Sequence, residues 1–348
     1  MKTKYHVLSD VTVRFRYVRG QWQASHGFDG RSYVPVPDAA RDDDDDGYPE
    51  EDVPSFDAHP IVAGIDVPER GVQAGDLGGL LQEGARLAQG ASCWVYPDSV
   101  LGCDASVSGG AAVGSPHPSH RVVVEPGCHL RATDNARIMG RCRLSVWHLD
   151  VGGDAVVDGG DYGVSMDGRG SVRIAGSASL THPVRIDCDG VLLVCDRARL
   201  TGCGCAVTDI RVDHIAAPRD GAALDHAHAV AELRRSCKSV VEVRDDAVVE
   251  SSRIYAAMNA SVTIGGTAVV ADSRIVPDGD LRIGGRTMMV RSTVNVSGCS
   301  LSSDVAYIGC LVRGEGEGVD SDGDADIVLP PDCTRRVAFQ YTIDVNHQ

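Results

Sequence analysis

The chain has 348 residues and a formal net charge of −16, with 43% hydrophobic but only 5% aromatic residues. An acidic surface repels phosphate backbones and anionic lipid, so no nucleic acid and no membrane partner is expected. The scarcity of rings argues against a base-stacking or sugar-stacking surface, and no run is apolar enough to span a bilayer.

The N-terminus, MKTKYHVLSDVTVRFRY, lacks the apolar core of a signal peptide, and a cytoplasmic location is the expectation. The 12 cysteines then read as reduced small hydrophobes. Residues 1–80 make the first unit. Val11, Val13, Phe15 and Tyr17 alternate with polar residues up to a turn at Arg19-Gly20, the pattern of a β-hairpin. Its expected role is to cap an open coil end. Residues 38–60, with Asp42 to Asp46 in a row and three prolines after them, read as an acidic disordered loop.

Residues 81–312 carry the organising signal. Aliphatic residues recur every six positions at Leu101, Val107 and Val113, each with a small residue two places before it (Ser99, Ala105, Ala111). Leu87 and Cys93 share the phase upstream, with a two-residue slip expected at Tyr96-Pro97. Six is neither the 3.6 of a helix nor the alternation of a flat strand. It fits a chain winding a three-sided coil, the aliphatic side chain inside and the small one at a tight corner. The beat continues through Leu130, Ile138 and Leu144, through Ile174, Leu180, Ile186 and Leu192, and through Val243 and Val249. This span allows roughly ten turns at the spacing of paired strands. Repetition is required energetically. One buried Val or Leu contributes ~1.5–3 kcal/mol, whereas ordering six residues costs ~1–2 kcal/mol each, so only stacked turns are stable.

Four stretches break the beat: 115–120, 158–170, 209–238 and 314–326. The third is the longest, and AALDHAHAVAELRRS within it has helical spacing. Residues 313–348 combine the last, acidic loop with an alternating segment, Arg335 to Val345, read as a terminal capping strand. The fold class is therefore all-β: a single-stranded parallel β-helix with β caps at both ends and a helical excursion.

The six-residue pattern resembles that of the hexapeptide-repeat superfamily, and more narrowly the YdcK-type repeat proteins. The likeness rests on Lys4-Tyr5, Gly75-Asp76-Leu77-Gly78-Gly79, Gly90-Ala91-Ser92-Cys93-Trp94-Val95 and Asp225-His226-Ala227-His228. It implies a left-handed coil and an ancestral acyl-transfer scaffold. Such acyltransferases place a catalytic histidine on a loop between subunits, and no histidine here aligns with that position.

Several residues have the right chemistry for a site. His226 or His228 could act as a general base oriented by Asp225. Arg234 and Arg235 could hold the phosphates of acetyl-CoA, although a solvated basic helix end has the same composition. Cys203-Gly-Cys205 and His117/His120 have ligand types without a complete zinc set. Asp320 to Asp326 lacks the glycine and glutamate of a calcium loop. The leading expectation is a scaffold or binding protein without metal or cofactor, engaging a protein partner or itself through the coil faces. The alternative is an acyl-CoA-dependent acyltransferase.

Overall fold

The computed structural model describes residues 3–328 except 19–20, 37–53, 118–120, 146, 161–163, 168–170, 182–183, 189–190, 202–207, 213–239, 251–252, 257–260, 272–273, 276–280, 287, 291–292, 296–298, 302–305, 309–310 and 314–326. Among the described residues the chain is all-β, with one short 3-10 turn at Pro68–Arg70 and no α-helix.

Two parts make up the fold. The N-terminal part is a curled mixed sheet of β1 (Tyr5–Val7), β2 (Val13–Val18), β3 (Gln21–Ala24), β6 (Ser55–Ala63) and β7 (Leu77–Gln82). β4 (His26–Phe28) and β5 (Tyr33–Pro35) pair as a separate hairpin. The expected β2–β3 hairpin is present, pairing Val18 with Gln21. The last part of the expected acidic loop is strand instead, because Ser55–Ala63 is a strand of 9 residues pairing with both β2 and β7. Two of the prolines that suggested a loop sit at tolerated places: Pro54 just before the strand, and Pro60 at the register shift between β6 and β7.

From β7 onward the chain winds a β-solenoid over residues 80–283. The first turn comprises β7, β8 (Arg86–Leu87) and β9 (Trp94–Val95), and the second β10 (Val100–Leu101), β11 (Ser106–Val107) and β12 (Ala112–Val113). The third has β13 (Val122–Val124), β14 (His129–Ala132) and β15 (Arg137–Met139), and the fourth β16 (Cys142–Leu144), β17 (His148–Val151) and β18 (Val156–Asp158). Then come β19 (Val164–Asp167), β20 (Ser171–Ile174) and β21 (Ser179–Thr181), followed by β22 (Val184–Cys188), β23 (Val191–Val194) and β24 (Arg199–Thr201). That is about 6 turns up to Thr201, and the stacking continues beyond it through β25 (Thr208–Val212) and β26 (Val240–Val243). The first strand of each turn joins the first face, the second strand the second face and the third strand the third face; all three are parallel sheets.

Two cores result. The bore is filled by one or two inward aliphatic residues per strand: Leu101, Val107 and Val113 are 0–1% exposed, as are Leu130, Ile138, Leu144, Ile174 and Leu180. Outside the bore, Phe15, Phe56 and Val13 of the N-terminal sheet pack with Leu80, Val100 and Val123, which alternate with bore-facing residues on the first face. That second core explains why β10 and β13 are apolar at every position. Tyr33 fastens the β4–β5 hairpin there: its hydroxyl donates to the Gly78 carbonyl at 3.0 Å and accepts from the Asp98 backbone N–H at 3.1 Å. At the start of the coil, Lys4 is 3% exposed and its ammonium donates to the carbonyls of Ala88, Ala91 and Cys93. Gly78 is required nearby, because a Cβ there would lie 2.7 Å from atoms of both Ile61 and Trp94.

The corner between the second and third faces has a fixed length. After the first turn it is always four residues: 108–111, 133–136, 152–155, 175–178, 195–198, 244–247 and 265–268. Its second residue is in the left-handed region every time, at Gly109, Asp134, Gly153, Gly176, Asp196, Asp245 and Gly266. Its fourth is a buried alanine, from Ala111 to Ala268. Glycine and aspartate are the residues that tolerate this backbone, and the aspartates add a bond. Asp134 Oδ2 accepts from Gly153 N at 2.9 Å, and Asp245 Oδ2 from Gly266 N at 2.8 Å.

Some sequence expectations need correction. The slip placed at Tyr96-Pro97 lies earlier: Val95 pairs with Val113, so the extra two residues fall between Leu87 and Val95, and Cys93 is that corner's small residue. Asp158 to Gly170 is not one excursion, because Val164–Asp167 is a strand on the first face. Residues 209–212, expected to belong to the excursion, are strand, since Thr208–Val212 pairs in register with β22. The excursion's helical segment, the acidic loop 314–326 and the terminal strand 335–345 lie outside the described residues.

Candidate functional site

The catalytic and cofactor candidates of the sequence, Asp225, His226, His228, Arg234 and Arg235, lie outside the described residues, as do Cys203, Cys205, His120 and Asp320 to Asp326. His117 is described, and its backbone N–H donates to Ser115 Oγ at 3.1 Å in a turn. Among the described residues, no three His, Cys, Asp or Glu side chains converge as a metal set. Cys93, Cys128 and Cys142 are buried and outside any disulfide, in keeping with their reading as small hydrophobes.

The chemically richest surface among the described residues is one the sequence reading passed over. It lies on the outward side of the second face. β14 and β17 stack in parallel with His129 opposite His148, and the His129 N–H donates to the Trp147 carbonyl at 2.9 Å. That register brings three rings together. His129 stacks on Trp147 with centroids 5.9 Å apart and planes 11° apart, and on His148 at 5.4 Å and 25°. Trp147 and His148 are 6.2 Å apart at 30°. Trp147 is 50% exposed, so His129 covers part of the indole and the rest is open.

Strand alternation places a second row of side chains two residues further along. There Ser106, Arg131, Asp150 and Arg173 follow one another across the face. Arg173 Nη1 lies 3.9 Å from Asp150 Oδ2. Among the described residues the Arg131 guanidinium forms no ion pair or hydrogen bond. Burial holds the His148 imidazole toward its neutral form, the His129 charge adds to this, and Asp150 opposes both. Burial likewise lowers the Arg173 pKa, against the attraction of Asp150. Further along the face, burial pushes the Cys195 thiol up to about 11, which makes it a poor nucleophile.

A second polar group, around Asp98, is a fastening rather than a site. Asp98 Oδ1 accepts from the Phe28 N–H at 3.2 Å and faces Arg121 at 3.7 Å. Burial raises its pKa, with Arg121 offsetting part of the effect. These contacts hold the β4–β5 hairpin against the coil.

The ring cluster could have been found by aligning turns instead of scanning for motifs. His129-Leu-Arg-Ala and His148-Leu-Asp-Val occupy the same places in successive turns, so equal phase puts both histidines on one face. The chain matches no protein-family model, and no curated protein matches it.

Proposed function

We propose that this chain is a binding scaffold: a left-handed hexapeptide-repeat coil, capped by β structure at both ends, that holds a ligand or partner on an outward face without transforming it. The supporting observation is the half-exposed indole of Trp147, stacked by His129 on the outward side of a parallel sheet. A large ring left open on a rigid surface marks an interaction site more readily than a scattered aliphatic residue does. The fold by itself carries no activity.

The test is thioester turnover together with binding of acetyl-CoA. The expected result is no release of free CoA thiol above the spontaneous rate. Catalysed release that is lost in the Arg234→Gln/Arg235→Gln double variant would replace this reading with acyl transfer.

A further inference from the structure

We propose that the Trp147–His129–His148 cluster, with Arg131 beside it, is a binding site for a nucleoside phosphate, the base stacking on the rings and the phosphate pairing with the guanidinium. This rests on the scaffold reading and gives its outward face a ligand class.

Three observations converge on that chemistry. The first is the open indole. A planar π system backed by an imidazole accepts a second planar ring, and base–aromatic stacking contributes ~1–3 kcal/mol per base with little dependence on which base it is. The second is Arg131. It lies two residues beyond His129 on the same side of β14, about 7 Å along the strand, which is a span a mononucleotide bridges from base to phosphate. Its guanidinium has no ion-pair partner among the described residues, and arginine binds phosphate through a bidentate fork.

The third is charge. The molecule carries −16 overall, yet the row next to the rings reads Arg131, Asp150, Arg173, with two guanidiniums to one carboxylate. Asp150 faces Arg173 at 3.9 Å, which offsets its repulsion of a phosphate held at Arg131. A strand of nucleic acid would meet the acidic remainder of the surface, whereas a single nucleotide fits within the patch.

The experiment is titration of the full chain with ADP, followed by tryptophan fluorescence and calorimetry, with adenosine and pyrophosphate as separate arms. Trp94 is buried in the bore and Trp22 is partly buried against the second core, so ligand quenching should report on Trp147, the most exposed of the three indoles. The expected result is saturable quenching by ADP and at least tenfold weaker binding of adenosine and of pyrophosphate alone. Trp147→Ala and Arg131→Gln should each weaken ADP at least tenfold, whereas Arg137→Gln, on the third face, should not. All variants should keep the wild-type circular dichroism and melting. Absence of saturable ADP binding, or binding unchanged in both patch variants, overturns the proposal. So does a loss of dimer mass in Trp147→Ala without any nucleotide binding, which would make the patch an interface between copies. Acetyl-CoA binding that depends on Arg131 but releases no thiol leaves the scaffold reading intact. Thioester turnover dependent on Arg234 and Arg235 defeats that reading independently of the patch.

Discussion

Lys4 and Cys93 are 89 positions apart in sequence, yet the Lys4 ammonium lies 3.1 Å from both the carbonyl oxygen and the sulfur of Cys93. The same ammonium reaches the carbonyls of Ala88 and Ala91, so one charged side chain satisfies three acceptors where the first turn begins. Lys4→Met would keep the stem and remove every donor. Buried carbonyls left without partners cost ~1–3 kcal/mol each before relaxation, so the expected loss is about 2–4 kcal/mol. Urea unfolding measures it. A midpoint equal to that of wild type would show that the lysine is dispensable.

Val107 and Ser106 are neighbours on one strand, with Val107 facing the bore and Ser106 facing outward. Val107→Asp puts a carboxylate among the aliphatic side chains of the bore, and should destabilise by more than about 3 kcal/mol or abolish folding. Ser106→Asp should change stability by less than about 0.5 kcal/mol. Thermal melts of the two variants compare the faces directly. Equal effects would contradict the inward assignment of the beat.

Asp134 has a φ of 57° and accepts from the Gly153 N–H. Asp134→Ala loses that bond and also forces a Cβ residue with no compensating side chain into the left-handed region. Asp134→Gly loses the bond alone. Alanine should therefore be the worse substitution, by about 1 kcal/mol. An alanine variant as stable as the glycine variant would show that the corner relaxes.

The folded state disfavours protonation of His148. As pH falls, the unfolded chain takes up this proton at the ordinary imidazole value of ~6.5, before the folded chain does. The contribution of His148 is therefore complete above that pH and is lost as pH drops through it toward the lower folded value. His148→Asn should flatten the decline in stability between about pH 7.5 and 5.5. Identical slopes for variant and wild type would remove the imidazole as the cause.

The coil was legible because its signal is local and repeated. Leu101, Val107 and Val113 each appear six residues after the last, and each fills the bore from a different face. The second core was not legible, because Leu80, Val100 and Val123 are buried by Phe15 and Phe56, contacts that no periodicity encodes. Lys4 was visible as part of the family likeness but not as a donor to residues more than 80 positions away. The ring cluster was hidden by averaging. Whole-chain aromatic content is low, and that argued against a stacking surface. Stacking depends instead on where Trp147 and two histidines fall in register.

From the second turn onward the four-residue corner between the second and third faces acts as a ruler, and the other two edges absorb the variation in turn length. A foreign peptide spliced between Asp158 and Val164 would hang from the edge of the prism and leave the ladders above and below in step. The same splice between Ile174 and Ser179 would displace the left-handed Gly176 and the buried Ala178 that shape that corner. Anyone wishing to decorate this rod therefore has two edges to work with, and one to leave alone.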